Sequence, residues 1–470
     1  MIKKNCFFIF LFLYSAFASG QSSVLSSGSW YKFSVASDGI YKIDFQLLQK
    51  AGINPSQINP KNIKIFAGQR GMLPQPNNAT RINDLQEVSI TVVGEADGKF
   101  DAGDLILFYG QSPDNFYFDQ KSKTFFYQNN LFTDKNFYFL TISTTPGKRN
   151  VVSENLAGSY PVINQYDEFG YYESDKYNLL HSGRQWFGEQ FDQTLQFPIQ
   201  FNVPGIIPNS SITLISHVMA ESITDCSYDV SYNSTKILNQ KIDAIPNIPY
   251  GIKGSTKADT IVFNESTVNG ASQNAQTINY QFNKGGPGIS IGYLDYILFS
   301  FKRTLALYDA QTIFTSSESV LNSVSTYQVN AVSSGNLVWD ITDAFNTKTQ
   351  ATQLNINSFL FSTNTNTLKK FVVFDPSKIS SATFESTVPN QNLHGISSAD
   401  LLIISHPSFF DQASRLASFR QSHNQLTGST VTTEAIYNEY SGGKSDFTAI
   451  RDFVRDVFKK SNGPLKYVLL

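Results

Sequence analysis

Two strings in this sequence have the outline of catalytic or nucleotide-binding sites. Gly288-Ile289-Ser290-Ile291-Gly292 fits the G-x-S-x-G nucleophile elbow, in which a strand, a sharp turn and a helix present a serine beside an oxyanion hole. The residues that follow, 293–301, continue as strand, so Ser290 reads as an ordinary strand residue. Gly443-Lys444-Ser445 has the ending of a phosphate-binding loop, but that pattern needs a glycine five positions before Gly443, where Asn438 stands. A plain loop with Ser445 capping the next helix is expected instead. Asp97, Asp101 and Asp104 bring oxygen ligands suited to calcium into one short stretch. Placing Gly98 at the sixth position of an EF-hand loop puts Val93 at the first, which must be a carboxylate, and a solvated Asp/Gly hairpin loop follows. Cys226 would be a nucleophile if His217 or His181 served as its base, yet no spacing brings them together. It opens the alternating run Ser227-Tyr228-Asp229-Val230-Ser231, where a cysteine behaves as a small buried hydrophobe. His394, His406 and His423 flank the last segment; His406 ends an apolar strand, where α/β sites form, but an isolated histidine reads as structural.

The chain that must position these groups has 470 residues, enough for about three domains. It carries 36 basic and 38 acidic residues, a formal charge of −2, which excludes a nucleic-acid binder held by phosphate electrostatics. Only 16% of residues are charged while 14% are aromatic, with 39 Phe and 23 Tyr, a mixture that favours extracellular β-structure. Residues 1–20 read as a secretory signal peptide: Lys3 and Lys4, an apolar core over 7–17, and Ala18-Ser19-Gly20 before Gln21. Removing it takes away Cys6 and leaves Cys226 as the single thiol, without a disulfide partner or a Cys-x-x-Cys metal site. No later apolar run reaches the ~18 residues of a spanning helix.

Residues 21–196 read as a β-rich domain. Strands are expected at 30–35, 63–66, 88–93 and 105–109, with one short helix over 45–51, capped by Asp44 and stopped by Gly52. Over 197–388, short alternating segments recur between turn signals, as in 212–216, 278–282, 294–301 and 371–374, the pattern of a β-sandwich or jelly roll. No fixed-period repeat supports a propeller or solenoid. The character changes over 389–470. Leu401-Leu402-Ile403-Ile404 is a strand buried on both faces, and a helix over 410–423 carries Ala413, Leu416 and Ala417. Thr430-Val431-Thr432-Thr433 is β-branched, and a second helix places Ile450, Phe453, Val454 and Val457 at helical spacing before Asn462-Gly463-Pro464 stops it. Tyr467-Val468-Leu469-Leu470 is a third buried strand, and the order β-α-β-α-β implies a parallel sheet. A sheet that stops at Leu470 is expected to belong to a longer protein.

These last motifs, Ala399-Asp400 with the strand ending Ser405-His406-Pro407, Arg415 to Arg420, Ile436-Tyr437-Asn438-Glu439-Tyr440-Ser441-Gly442-Gly443 and Leu465 to Leu470, resemble the opening of a gingipain-type cysteine peptidase domain. Upstream, Gly103 to Gly110, Ser182-Gly183-Arg184-Gln185-Trp186-Phe187-Gly188-Glu189 and Tyr293-Leu294-Asp295-Tyr296 are similar to one branch of that family, the PorU-type sortases of the type IX secretion system.

The resemblance implies mainly β amino-terminal domains followed by the start of a caspase-like α/β domain, secreted and held at the outer membrane or cell surface. It implies a cysteine endopeptidase that cleaves the C-terminal sorting domain from exported cargo proteins. An outer-membrane barrel partner is a family expectation. In the family the catalytic His and Cys follow the third and fourth strands of the sheet, so no numbered residue here receives a catalytic role and the dyad is expected beyond Leu470. Calcium sites of gingipain catalytic domains would fall there too, so no cofactor or metal ligand is assigned. The alternative is a non-enzymatic β-sandwich adhesin or glycan-binding protein using exposed aromatics such as Trp186 or Tyr171-Tyr172. Trp186 between Arg184 and Glu189 suits a buried corner equally well.

Overall fold

A computed structural model describes residues 22–179, 181, 185–267, 274–460 and 465–470. The expected signal peptide, Ser182-Gly183-Arg184 and the Asn462-Gly463-Pro464 stop lie outside the described residues. The chain is mainly β, and it closes with a three-stranded α/β unit.

The first module stacks a five-stranded antiparallel sheet on a three-stranded one. In the larger sheet the order is Thr383–Val388, Trp30–Val35, Asn136–Ile142, Ile63–Ala67 and Gln86–Val88; the smaller joins Gly39–Asp44, Leu105–Gly110 and Ile90–Val93. Phe33, Ile43, Ile65, Ile106, Phe108 and Leu140 fill the space between them. The strand expected over 88–93 is broken at Ser89, whose N–H donates to Phe345 O, so its two halves serve different sheets. Asp44 caps the helix Phe45–Lys50 by accepting from Leu47 N at 2.9 Å, as its position before the apolar run dictates.

A sandwich follows. Gln165–Glu173, Ser290–Thr304, Ser211–Ser222 and Ser255–Asn264 form one sheet, and Gln196–Asn202, Ala275–Asn283, Cys226–Tyr232 and Thr235–Ile242 face it. Period-two alternation sends Cys226, Tyr228, Val230 and Tyr232 inward from one strand and Ile278, Tyr280 and Phe282 from its neighbour. Two of the buried phenols keep partners: Tyr228 donates to Met219 O at 2.9 Å, and Tyr280 shares a 2.6 Å bond with Ser216. A further pair of sheets packs Phe314, Tyr327, Phe361 and Phe371 together, joining strands from 151–163 with strands from 311–374.

In the α/β unit, Gly428–Thr432, Leu401–Ser405 and Tyr467–Leu469 lie side by side, all parallel, as the β-α-β-α-β order requires; Tyr467–Leu469, expected to be buried, is exposed because it stands at the edge of the sheet. Helix Phe410–Asn424 covers one face through Ala413 and Ala417, against Leu401 and Ile403. The other face, Leu402, Ile404 and Val431, receives Ile436, Tyr440, Phe453 and Val457. Ile436 and Tyr440 belong to helix Thr433–Tyr440, which the sequence reading missed. It is eight residues long, starts directly after a β-branched strand, and is nucleated by Thr432, whose side chain accepts from Ala435 N at 3.1 Å.

Candidate active-site edge of the α/β unit

Parallel strands deliver their carboxyl ends to one edge, and loops there form the sites of α/β proteins. Ser405-His406, Thr432-Thr433 and Leu469-Leu470 meet at that edge, around a cavity of about 460 Å³ lined by Ile403, Ser405, His406, Phe409, Thr433 and Leu470. His406 is exposed and caps the turn Pro407–Phe409, its Nδ1 accepting from Ser408 N at 3.2 Å. An accepting Nδ1 leaves Nε2 as the ring's donor nitrogen. Ser405 Oγ is buried at the rim without a hydrogen-bond partner. The edge therefore offers an apolar floor and hydrogen-bonding groups, and no cysteine stands on it.

The unit is seated on the first module by buried polar anchors. Lys32 reaches across from strand Trp30–Val35 to donate to Asn438 Oδ1 at 3.0 Å and Gly443 O at 3.4 Å, with its ammonium over the Phe137 ring. Lys444 is fully buried and donates to Gln69 O at 2.6 Å. Burial without a paired carboxylate lowers Lys32 and Lys444 to about 8 each, although distant Glu434 and Glu385 for the first, and Asp446 for the second, act in the opposite sense. Asp446 is also buried; one oxygen accepts from Leu73 N at 2.7 Å and the other from Thr448 N at 2.8 Å, at the start of helix Thr448–Lys460. Arg81 Nε lies 3.0 Å from Asp452, and Arg451 donates to Gln75 O at 2.6 Å. Replacing Asp446 by Ala removes the helix cap and strands the Leu73 amide at once; we expect a loss of about 2–4 kcal/mol in chemical denaturation. An unchanged midpoint would show that the anchor is idle.

Ser290 opens strand Ser290–Thr304, buried and bonded to Ser222 Oγ at 3.0 Å, so no elbow exists there. Cys226 lies in the sandwich core, and burial raises its thiol, the reverse of an activated nucleophile. His217 is instead hydrogen-bonded through Nδ1 to Asp295 and stacked on Tyr296, while His181 is exposed. Around Asp97–Asp104, Asp97 accepts from Lys99 N and Asp104 from Asp101 N, the bonds of a turn. Ser445 is exposed and Asp446 holds the helix start, correcting the expected cap: the cap residue sits two positions before the helix and also reaches Leu73. His423 is exposed on Phe419.

His394 proves the most enclosed histidine. Its ring lies on Tyr440 at 4.5 Å, with Glu439 and Asp456 each 3.7 Å from a ring nitrogen, and Glu439 also accepts from the Leu393 and His394 amides. It pins the 389–400 connection beneath the unit. No spacing in the sequence signals this, because Glu439 and Asp456 sit on two different helices.

Residues 396–470 match the family model of Peptidase family C25. Over the chain as a whole, the fold is that of dimeric latent PorU from Porphyromonas gingivalis, with a TM-score of 0.81 and 22% identity over 95% of this chain and 42% of that one. The expected resemblance to PorU is thus borne out as a fold, and this chain spans 42% of that protein's length. Two further matches share no overall fold with it. The CBM36-1 domain of a xylanase from the hindgut metagenome of Trinervitermes trinervoides has 10% identity and a TM-score of 0.17, over 29% of this chain and 96% of that domain. PNGase F from Flavobacterium meningosepticum has 7% identity and a TM-score of 0.19, over 60% of this chain and 86% of that one. No curated protein matches the chain.

Proposed function

We propose that this chain is the amino-terminal part of a secreted cysteine endopeptidase of the PorU sortase type, acting at the cell surface to cleave C-terminal sorting domains from exported cargo. One observation carries the reading: the parallel unit matched to family C25 sits on β-modules that together reproduce the PorU fold over 95% of the chain. The chemistry would be thiolate attack on the scissile carbonyl, with the oxyanion held by backbone amides. The amine then leaves with a proton from histidine, and water or a second amine takes the acyl group from the thioester. The residues described here would hold the strand ends rigid beside that reaction, through Lys32, Lys444, Asp446 and His394. The histidine and cysteine themselves would follow the third and fourth strands, beyond Leu470.

The test compares the complete gene product with the 470-residue chain on a cargo protein bearing its sorting domain. The complete product should cleave it and lose activity when the cysteine after the fourth strand becomes alanine. Cys226→Ala should leave that rate within about twofold, since a buried core thiol touches no substrate. Proteolysis by the 470-residue chain that Cys226→Ala abolishes would overturn the reading.

A further inference from the structure

The hairpin of Asn115–Asp119 and Thr124–Gln128 belongs to the first module by sequence and lies on the sandwich. Its base is pinned to its own module: Arg70 Nε donates to Asp114 O at 2.6 Å, Asn130 N to Asp114 Oδ1 at 2.9 Å, and Ser112 N to Asp38 Oδ1 at 2.8 Å. Past that base, the two strands pair with each other and with no other strand among the described residues. A two-stranded ribbon is marginal in water by itself, so its order depends on what it rests on. Alternation turns Phe116, Phe118, Phe125 and Tyr127 to one face, while Tyr117 and Phe126 stand exposed on the other.

The inner face is gripped by side chains. Phe116 and Phe125 lie against Phe169, with ring centroids 5.0 and 4.7 Å away, and Tyr127 stacks on Tyr171 at 3.5 Å. Arg70 and Lys370 lie over the Phe116 ring, 4.0 and 4.6 Å from its centroid, and Ser300 Oγ meets Thr124 Oγ1 at 3.0 Å. No backbone–backbone hydrogen bond ties the hairpin to the sandwich among the described residues. The packing also leaves room: a cavity of about 420 Å³ is lined by Phe116, Phe125, Arg303 and Tyr308, and one of about 220 Å³ by Phe118 and Leu368. Lifting the hairpin breaks ring contacts and the Ser300 bond, but no strand ladder. Glu173 stands at the end of this contact. Tyr171 donates to it, Tyr127 donates to Asp114 in the hairpin base at 2.6 Å, and Tyr296, Asp175 and Asp295 also act on it; Asn129 Nδ2 reaches Asp175 at 3.5 Å, and Asp295 is bonded to His217. Arg70 acts on Tyr127 from the first module. Burial pushes Glu173 up to about 7, against the Tyr171 hydrogen bond and together with the charges of Asp175, Asp295 and Asp114. Its charged form needs water, which a parted Tyr127–Tyr171 stack admits.

We propose that residues 115–128 form a releasable strap, which lifts from Phe169 and Tyr171 about its Asp114–Asn130 base and opens the cavity beside Arg303 to solvent. Glu173 sets the balance between the two positions. Neutral, it favours the seated strap; charged, it favours the lifted one, so release grows as pH rises through 7.

Hydrogen exchange read by mass spectrometry on the 470-residue chain detects the lift, because a ribbon off its support loses its own ladder too. After correction for the intrinsic exchange rate, amides of 115–128 should exchange about five- to tenfold faster at pH 8 than at pH 6, while those of Gln165–Glu173 and Ser290–Thr304 stay protected. Glu173→Gln should abolish that rise. A disulfide between Thr124→Cys and Ser300→Cys, placed where the two hydroxyls are 3.0 Å apart, should hold the strap down at both pH values. The same double variant, reduced, should exchange like the parent, which separates the lock from damage to the fold. Exchange of 115–128 in step with the sandwich strands would make the hairpin part of the sandwich's own folding unit and overturn the inference. A rate that does not change with pH, or a rise that Glu173→Gln leaves intact, overturns it equally.

Discussion

Gly442→Ala should undock the α/β unit. Gly442 has φ +62°, in the left-handed region, and a methyl on it would lie 2.7 Å from Gly68 Cα and 2.9 Å from Gly68 N. Both obstacles are backbone, so the two loops have to separate. Separation also withdraws Lys444 from Gln69 O and Lys32 from Gly443 O, leaving two buried ammonium groups short of acceptors. We expect a cost of about 3–5 kcal/mol, of which left-handed strain is the smaller part. Gly98→Ala is the control: its φ is +80°, yet no atom lies within 4 Å of the added methyl. It should cost only about 1–2 kcal/mol. Thermal unfolding reads both costs, and limited proteolysis of the 389–400 connection reads the undocking. Equal destabilisation by the two variants would mean that the Gly68–Gly442 contact contributes nothing.

Glu173→Gln should stabilise the protein in alkaline solution. The hairpin Asn115–Asp119 and Thr124–Gln128 lies over the sandwich, with Phe116 and Phe125 against Phe169 and Tyr127 stacked on Tyr171 at 3.5 Å. Tyr171 donates to Glu173, and Tyr127 donates to Asp114 at 2.6 Å. Burial, followed by the charges of Asp175, Asp295 and Asp114, raises Glu173 from 4.5 to about 7, against the opposing Tyr171 hydrogen bond. The folded protein thus holds a proton that the unfolded chain releases above pH 4.5. The stability linked to this proton is complete below 4.5, falls as pH rises, and is gone above 7. An ionised Glu173 then costs about 3 kcal/mol at most. The neutral amide keeps an acceptor for Tyr171 and removes the charge, so the melting temperature of the variant should exceed that of the parent at pH 8 and converge with it near pH 5. Parallel curves across that range would refute the assignment.

Much of this fold can be read from residue order alone, wherever the pattern is local. Alternation in Cys226–Tyr232 and Ala275–Asn283 decides which side chains face the sandwich core. The unbroken apolar run 401–404 marks a strand covered on both faces, and Asp44 announces the short helix it caps. The motifs around them were enough to place 389–470 beside the gingipain-type domains.

Tertiary structure alone decided how the pieces are joined. Thr383–Val388 returns to pair with Trp30–Val35, a partnership about 350 residues distant in sequence, because an edge strand accepts whatever compatible strand the fold brings to it. Nothing in their neighbours in sequence marks Lys32 and Lys444 as buried. They are buried because aromatic rings and backbone carbonyls from other modules enclose them. Hydrophobic periodicity reports which face of an element is covered. The acceptor that a buried ammonium or carboxylate finds depends on elements far away along the chain, and it leaves no periodic trace in the residues on either side.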